Sequence, residues 1–235
     1  MQPDSTANPV RVRADLDPGL SRWQWLVKWI LAIPHYIVLF FLHIGVVVVW
    51  VIALLAILIT GKYPRALFDF SVGVIRWRWR VTFYALFALG TDKYPPFSLR
   101  PKAEYPADLE VDYPERLNRG LVLIKWWLMV IPHYLILNVF FTASWRFQVL
   151  INPNKVAAYH LPALIVILLV IAVVGLLFTG RYPKGLYDFV IGMNRWAIRV
   201  HAYSALLRDE YPPFRLDMGP REPGPSAIPE TAGAA

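Results

Sequence analysis

Three stretches of the chain carry no charged residue over the length of a membrane helix. They are 33 positions from Trp29 to Gly61, 20 from Trp126 to Trp145 and 25 from Val156 to Gly180. About 20 apolar residues cross a hydrocarbon core about 30 Å thick, so the second and third stretches each predict one crossing. The first is too long for a single upright helix, which would reach roughly 50 Å at about 1.5 Å per residue. Read as a hairpin, it turns near His43-Ile44-Gly45; otherwise it is one long tilted helix or a partly re-entrant one. Between the second and third stretches, Asn-Pro-Asn and Leu-Pro steps in RFQVLINPNKVAAYHLP mark a turn.

A different pattern follows Gly61 and Gly180. Each glycine suits a helix C-terminus, and Pro64 and Pro183 suit the first turn of a next helix. Residues 65–89 and 184–207 are apolar but interrupted by Asp and Arg. On a helix, Asp69, Gly73, Arg76, Arg80 and Tyr84 fall within roughly 80° of arc, as do Asp188, Gly192, Arg195, Arg199 and Tyr203. This spacing predicts helices lying at the membrane interface, with the polar stripe toward water, headgroups or the other half. The short Pro-bounded segments VRVRAD, YPPFSL, DLEVD and YPPFRLD predict extended strands, pairing between the halves.

These patterns occur twice in the same order. IPHY at 33–36 returns at 131–134, TGKYPRALFDFSVGVIRWRWRV at 60–81 returns as TGRYPKGLYDFVIGMNRWAIRV at 179–200, and TDKYPPFSL returns as RDEYPPFRL. His35 to Gly61 is 26 positions and His133 to Gly180 is 47, so the second copy holds 21 extra residues in its apolar region. Charge then bears on topology. Net charge is +8, and Lys and Arg collect on cytoplasmic flanks. Two hairpins put 22 of the 24 basic residues on one side, leaving only Arg146 and Lys155 outside. The expectation is therefore an all-α integral membrane protein. It has two tandem helical-hairpin repeats, each followed by an interfacial amphipathic helix, with short extended cytoplasmic segments. It lies in the plasma (inner) membrane, multi-pass, with both termini cytoplasmic.

The expected boundaries are a flexible 1–9, a first repeat at 10–100 with its hairpin at about 23–60, and a second at 101–217 with helices at about 121–149 and 161–179. A Pro/Gly/Ala-rich tail at 218–235 reads as disordered. Composition agrees with a membrane class: hydrophobic residues make up 57% and charged residues 17%, against about 45–50% and about 25% in soluble domains. The chain has no cysteine, which excludes disulfides, thiolate catalysis and Cys-ligated metal. Eight of ten tryptophans (Trp23, Trp25, Trp29, Trp77, Trp79, Trp126, Trp127 and Trp196) fall near the expected cytoplasmic boundary, where indole prefers to sit.

The combined unit R…IPH…TGxYPxxLxDFxxGxxRWxxRVxxY…YPPF resembles the bacterial membrane family catalogued as domain of unknown function 4389, in two copies over about residues 10–217. The tandem arrangement is similar to that of actinobacterial members. The resemblance implies a helical membrane fold and brings no activity, cofactor or site with it.

The residues themselves offer two sets of candidates. His35 and His133, each after a proline in an apolar helix, are intramembrane polar candidates; they serve either as neutral kink residues bonding carbonyls freed by Pro34 and Pro132, or as a site between the repeats. No carboxylate or second shared histidine accompanies them, so no metal and no cofactor is expected. Asp69, Arg76, Arg80, Tyr84, Asp188, Arg195, Arg199 and Tyr203 either form structural ion pairs with loops or bind a partner protein or anionic lipid at the cytoplasmic leaflet. No Walker loop, HExxH or GxSxG is present, and no carboxylate lies in a span. Basic residues alternate with Trp instead of forming a soluble patch, so nucleic acid is not expected. The favoured function is a non-enzymatic accessory or scaffold subunit. The alternative is a small transporter or lipid-handling protein with a cavity near His35 and His133; an enzyme using Asp69 and Asp188 comes last.

Overall fold

The computed structural model describes residues 8–142, 145–152 and 155–221, with backbone alone for the segment 145–161. The chain is mostly helical. Strand β1 (Val10–Ala14) leads into α1 (Trp25–Leu31), α2 (Ile33–Thr60) and α3 (Arg65–Ala85), followed by β2 (Ala107–Val111). The second half holds α4 (Leu121–Ile124), a π-helical turn (Lys125–Met129), α5 (Ile131–Phe141), the hairpin β3 (Trp145–Asn152) and β4 (Lys155–Leu161), α6 (Leu164–Thr179) and α7 (Lys184–Ser204).

The turn expected at His43–Gly45 is not there. Helix α2 runs unbroken for 28 residues, and two helices, Ile33–Thr60 and Leu121–Phe141, are long and apolar enough to cross a membrane. Gly45 serves close packing instead of a turn: a Cβ there would meet the Phe70 ring at 3.4 Å. The break in this region falls earlier, at Ala32 between α1 and α2. There Pro34 has no N–H to donate to Ile30, two residues before the break. Gly61 and Gly180 close α2 and α6 in the left-handed conformation, with φ of 72° and 68°, donating to Ile57 O and Leu176 O. Pro64 and Pro183 then open α3 and α7, as their positions in the sequence imply.

The 21 extra residues of the second half do not lengthen its helices. They form an antiparallel β-hairpin set between α5 and α6. Helix α5 therefore stops at Phe141 instead of reaching residue 149. The alternating, aromatic and β-branched run from Trp145 favours a strand over further helix. Without that insertion, α5 and α6 together match α2 in length.

Strands β1 and β2 pair antiparallel between the halves, as expected, with Val12 opposite Leu109, Val10 opposite Val111 and Ala14 opposite Ala107. Val10, Val12, Ala14, Ala107 and Leu109 are buried against α3 and α7. YPPFSL and YPPFRLD are not strands. Their prolines lack the donor a ladder needs, and both segments wrap the helices as loops. The C-terminal segment expected to be disordered is docked as far as Arg221: Ala14 N donates to Pro220 O, and Arg221 pairs with Asp15 at 3.3 Å. The rest of that tail, and residues 1–7, lie outside the described residues.

Helices α3 and α7 form the centre of the molecule. They were expected at a surface, yet 14 of 21 residues of α3 and 12 of 21 of α7 are buried. The sheet and loops cover one side. On the other, α1, α2, α5 and α6 turn outward a continuous apolar face that includes Phe40, Phe41, Val47, Leu55, Leu135 and Phe178.

Candidate functional site

Burying α3 and α7 takes their arginine stripe out of water. Arg80 and Arg195 are fully buried, and Arg76 and Arg199 nearly so. On α3, Asp108 of β2 binds both guanidiniums, at 3.0 Å from Arg76 and 3.1 Å from Arg80. Other N–H groups meet carbonyls of the loop that carries YPPF: Arg76 donates to Leu99 O, and Arg80 to Ser98 O and Arg100 O. Gly73 lets this loop approach, since a Cβ there would lie 2.8 Å from Leu99 Cβ. Burial lowers the pKa of both arginines, and Asp108 opposes that shift. On α7, Arg199 pairs with Asp217 at 2.5 Å, while Arg195 donates to Asp217 O, Val12 O and Gly219 O. The stripe thus clamps sheet and loops onto the helices and does not face water or headgroups. The burial follows from the wrapping loops, whose carbonyls replace solvent.

The other stripe residues separate. Asp69 is exposed and paired with Arg65, one turn back. Asp188 is half-buried. Tyr84 and Tyr203 lie at the far helix ends, each beneath a buried lysine, at 5.4 Å from Lys28 Nζ and 5.6 Å from Lys125 Nζ. Hydropathy treats those lysines as span boundaries, yet they are matched anchors. Lys28 Nζ reaches Asp92 at 2.6 Å and Thr91 O at 2.8 Å; Lys125 Nζ reaches Asp209 at 2.7 Å and Arg208 O at 3.0 Å. The twice-occurring TD/RD before the Tyr-Pro-Pro-Phe motif was the available signal for this pairing.

His35 and His133 are sealed in aromatic boxes. His35 stacks on Phe97 at 3.9 Å beside Tyr94 and accepts a hydrogen bond from Trp77 Nε1 at 3.0 Å. His133 stacks on Phe214 at 4.1 Å beside Tyr211 and Trp196. Neither caps a carbonyl freed by proline, and neither lines the cavity described next.

A cavity of about 500 Å³ does lie between α3 and α7, walled on one side by α5. Ile75, Arg78, Trp79 and Thr82 of α3 face the positions aligned with them on α7, namely Asn194, Ala197, Ile198 and His201. Tyr134, Leu137, Asn138, Phe141 and Thr142 line the α5 wall, and Phe87 closes one end. Among the described residues, no three His, Asp or Glu side chains gather as a metal site would need.

A boxed histidine, two buried arginines and a YPPF loop accompany each of two glycine-capped helix pairs in a small, mostly helical module. The chain belongs to the family described as Domain of unknown function (DUF4389), whose model matches residues 22–98 and 153–215, two segments consistent with two tandem copies. No curated protein and no solved structure matches the chain.

Proposed function

We propose that the chain is a non-enzymatic membrane scaffold seated in one leaflet, with the pseudo-two-fold axis of its two repeats along the membrane normal. One observation carries this reading: a charged segment runs alongside α2 from near one end to the other. Arg76 and Arg80, in the middle of α3, hold Asp108 of β2; Glu110 of β2 and Asp112 just after it are exposed, and the half-exposed Arg11 of β1 pairs with both. Helix α2 runs antiparallel beside α3, since Gly45 meets Phe70 and His35 meets Trp77. Standing α2 upright would run the charged segment from Asp108, held by Arg76 near the His35 end, to Leu117, bonded to Gly61 at the other end, through the hydrocarbon, where each charge costs about 2.5–3.5 kcal/mol or more. Laid in the plane, the same helix buries its outward apolar face in lipid and keeps the sheet in water. Both ends of α2 are also tied to polar loops, through Tyr94 to Leu31 O and through Leu117 N to Gly61 O. The four-crossing alternative requires a turn within α2.

Lipid recognition then falls to different residues. Lys62, Arg65 and Arg119 are exposed around the end of α2, and Arg22, Arg181 and Lys184 around the end of α6. Each basic side chain near an anionic surface contributes about 1 kcal/mol, so these two groups suit anionic headgroups. Exposed Trp23, Trp29, Trp126 and Trp127 suit the interface beside them. The excess of Lys and Arg supports a cytoplasmic side for the sheet, where a partner protein is the other occupant to test for.

The chain has no native cysteine, so single substitutions label cleanly. Arg22→Cys, Lys62→Cys, Glu110→Cys and Arg181→Cys should react with an impermeant maleimide only after the cells are permeabilised. Lys155→Cys should not react in intact cells. Reaction of Lys155→Cys from outside restores the crossing topology and ends the one-leaflet reading.

A further inference from the structure

The cavity between α3, α7 and α5 lies where the two halves meet but is not symmetric in chemistry. Arg78 is its one formal charge among the described residues; the aligned residue on α7 is Ala197. Arg78 lines the cavity and is itself exposed; it has no carboxylate in ion-pair reach among the described residues, and nearby protein partly desolvates it and lowers its pKa. An unpaired guanidinium beside apolar walls favours a bound anion, since its hydrogen bonds to a carboxylate or phosphate are charge-assisted. Thr82 and His201 stand nearby on facing helices. Asn138 adds an amide from the α5 wall, and the aligned position in α2 is Phe40, which faces out. A polar side chain in the otherwise apolar LILNVFF run is costly toward lipid and finds its use toward the cavity. Trp79, Phe87, Leu137, Phe141 and Ile198 supply the apolar remainder. The volume suits one small ligand, within the range of about 300–1,000 Å³ for such sites.

We propose that this cavity binds a single-chain amphiphile with one anionic head, the head at Arg78 and the chain along Trp79, Phe87 and Leu137. Tyr134, Asn138 and Thr142 are all exposed, on the helix whose Leu135 and Val139 face outward, so the mouth opens beside the lipid-facing surface. Delivery from the bilayer rests on the one-leaflet reading; binding itself does not.

The test uses the full chain in a neutral maltoside detergent, stripped of lipid, with three probes of equal chain length: palmitate, palmitoyl lysophosphatidate and neutral monopalmitoylglycerol. The wild type should bind at least one acidic probe more tightly than the neutral one. Binding of palmitate alone or of the phosphate alone identifies the head group, and either result supports the proposal. Arg78→Ala should weaken acidic-probe binding at least tenfold and leave the neutral probe unchanged. Alanine already occupies the aligned position on α7, so this variant should fold, which its unfolding midpoint checks. Asn138→Phe, bringing in the residue of the α2 counterpart, should fill the mouth and reduce binding of all three. Equal binding of acid and neutral probes by the wild type, or unchanged acid binding by Arg78→Ala, overturns the proposal. These measurements are made without a bilayer, so they stand apart from the maleimide result.

Discussion

Asp108 is one carboxylate serving two buried guanidiniums. Removing it leaves Arg76 and Arg80 with carbonyl acceptors and no countercharge, and breaking a buried pair costs about 3–5 kcal/mol. Asp108→Ala should therefore lower the thermal unfolding midpoint sharply, with Asp108→Asn intermediate because its amide oxygen still accepts. A midpoint unchanged in both variants would mean that the clamp contributes little. His201 gives a pH signature. Desolvation, with Arg78 and His43 close by, pulls its pKa down to about 4, against about 6.5 in an unfolded chain. Between those values the unfolded chain takes up a proton that the folded chain refuses. Stability should thus fall as pH drops from about 6.5 to about 4 and level off below. His201→Gln should flatten that slope, and equal slopes in both proteins would refute the assignment. At this scale the sequence was informative in part. The arginines of both repeats stood out by spacing, but Asp108, Asp92 and Asp209 did not, because each comes from a distant loop or strand that periodicity cannot join to a helix.

Helix ends were the most legible elements. A glycine followed two residues later by Tyr-Pro marks a left-handed cap and a new helix start, and both appear at Gly61–Pro64 and Gly180–Pro183. The interior of the first apolar run was not legible. Gly45 permits a turn and permits close packing equally well, and only the Phe70 ring settles which. The hairpin β3–β4 makes this comparison testable. Deleting residues 142–162 restores the 26-residue spacing between His133 and Gly180 found in the first half. The shortened chain should fold with α5 and α6 joined as one helix, changing stability by no more than about 1 kcal/mol, since loop length enters only logarithmically. Loss of folded protein on deletion would show that the hairpin is required for the second half to form.

For the whole molecule, hydropathy identified the helices with an outward apolar face, and on the proposed one-leaflet reading it does not tell how they lie. A long uncharged run reports contact with hydrocarbon, whereas orientation depends on where the charges of remote segments dock. Here they dock beside the middle of α3, through the register of β1 on β2. The cavity escaped for a similar reason: Arg78 and Asn138 belong to unrelated motifs and meet only after folding. The halves also exchange supports. Arg119 from the second packs on Gly61 of the first, Arg22 from the first packs on Gly180 of the second, and β1 shares its sheet with β2. A polypeptide with a single unit would leave each of these supports missing until it met a second molecule across the same axis, and its folding would weaken on dilution. Joining both units in one chain replaces that encounter with a fixed effective concentration, so this protein should hold its fold at any dilution.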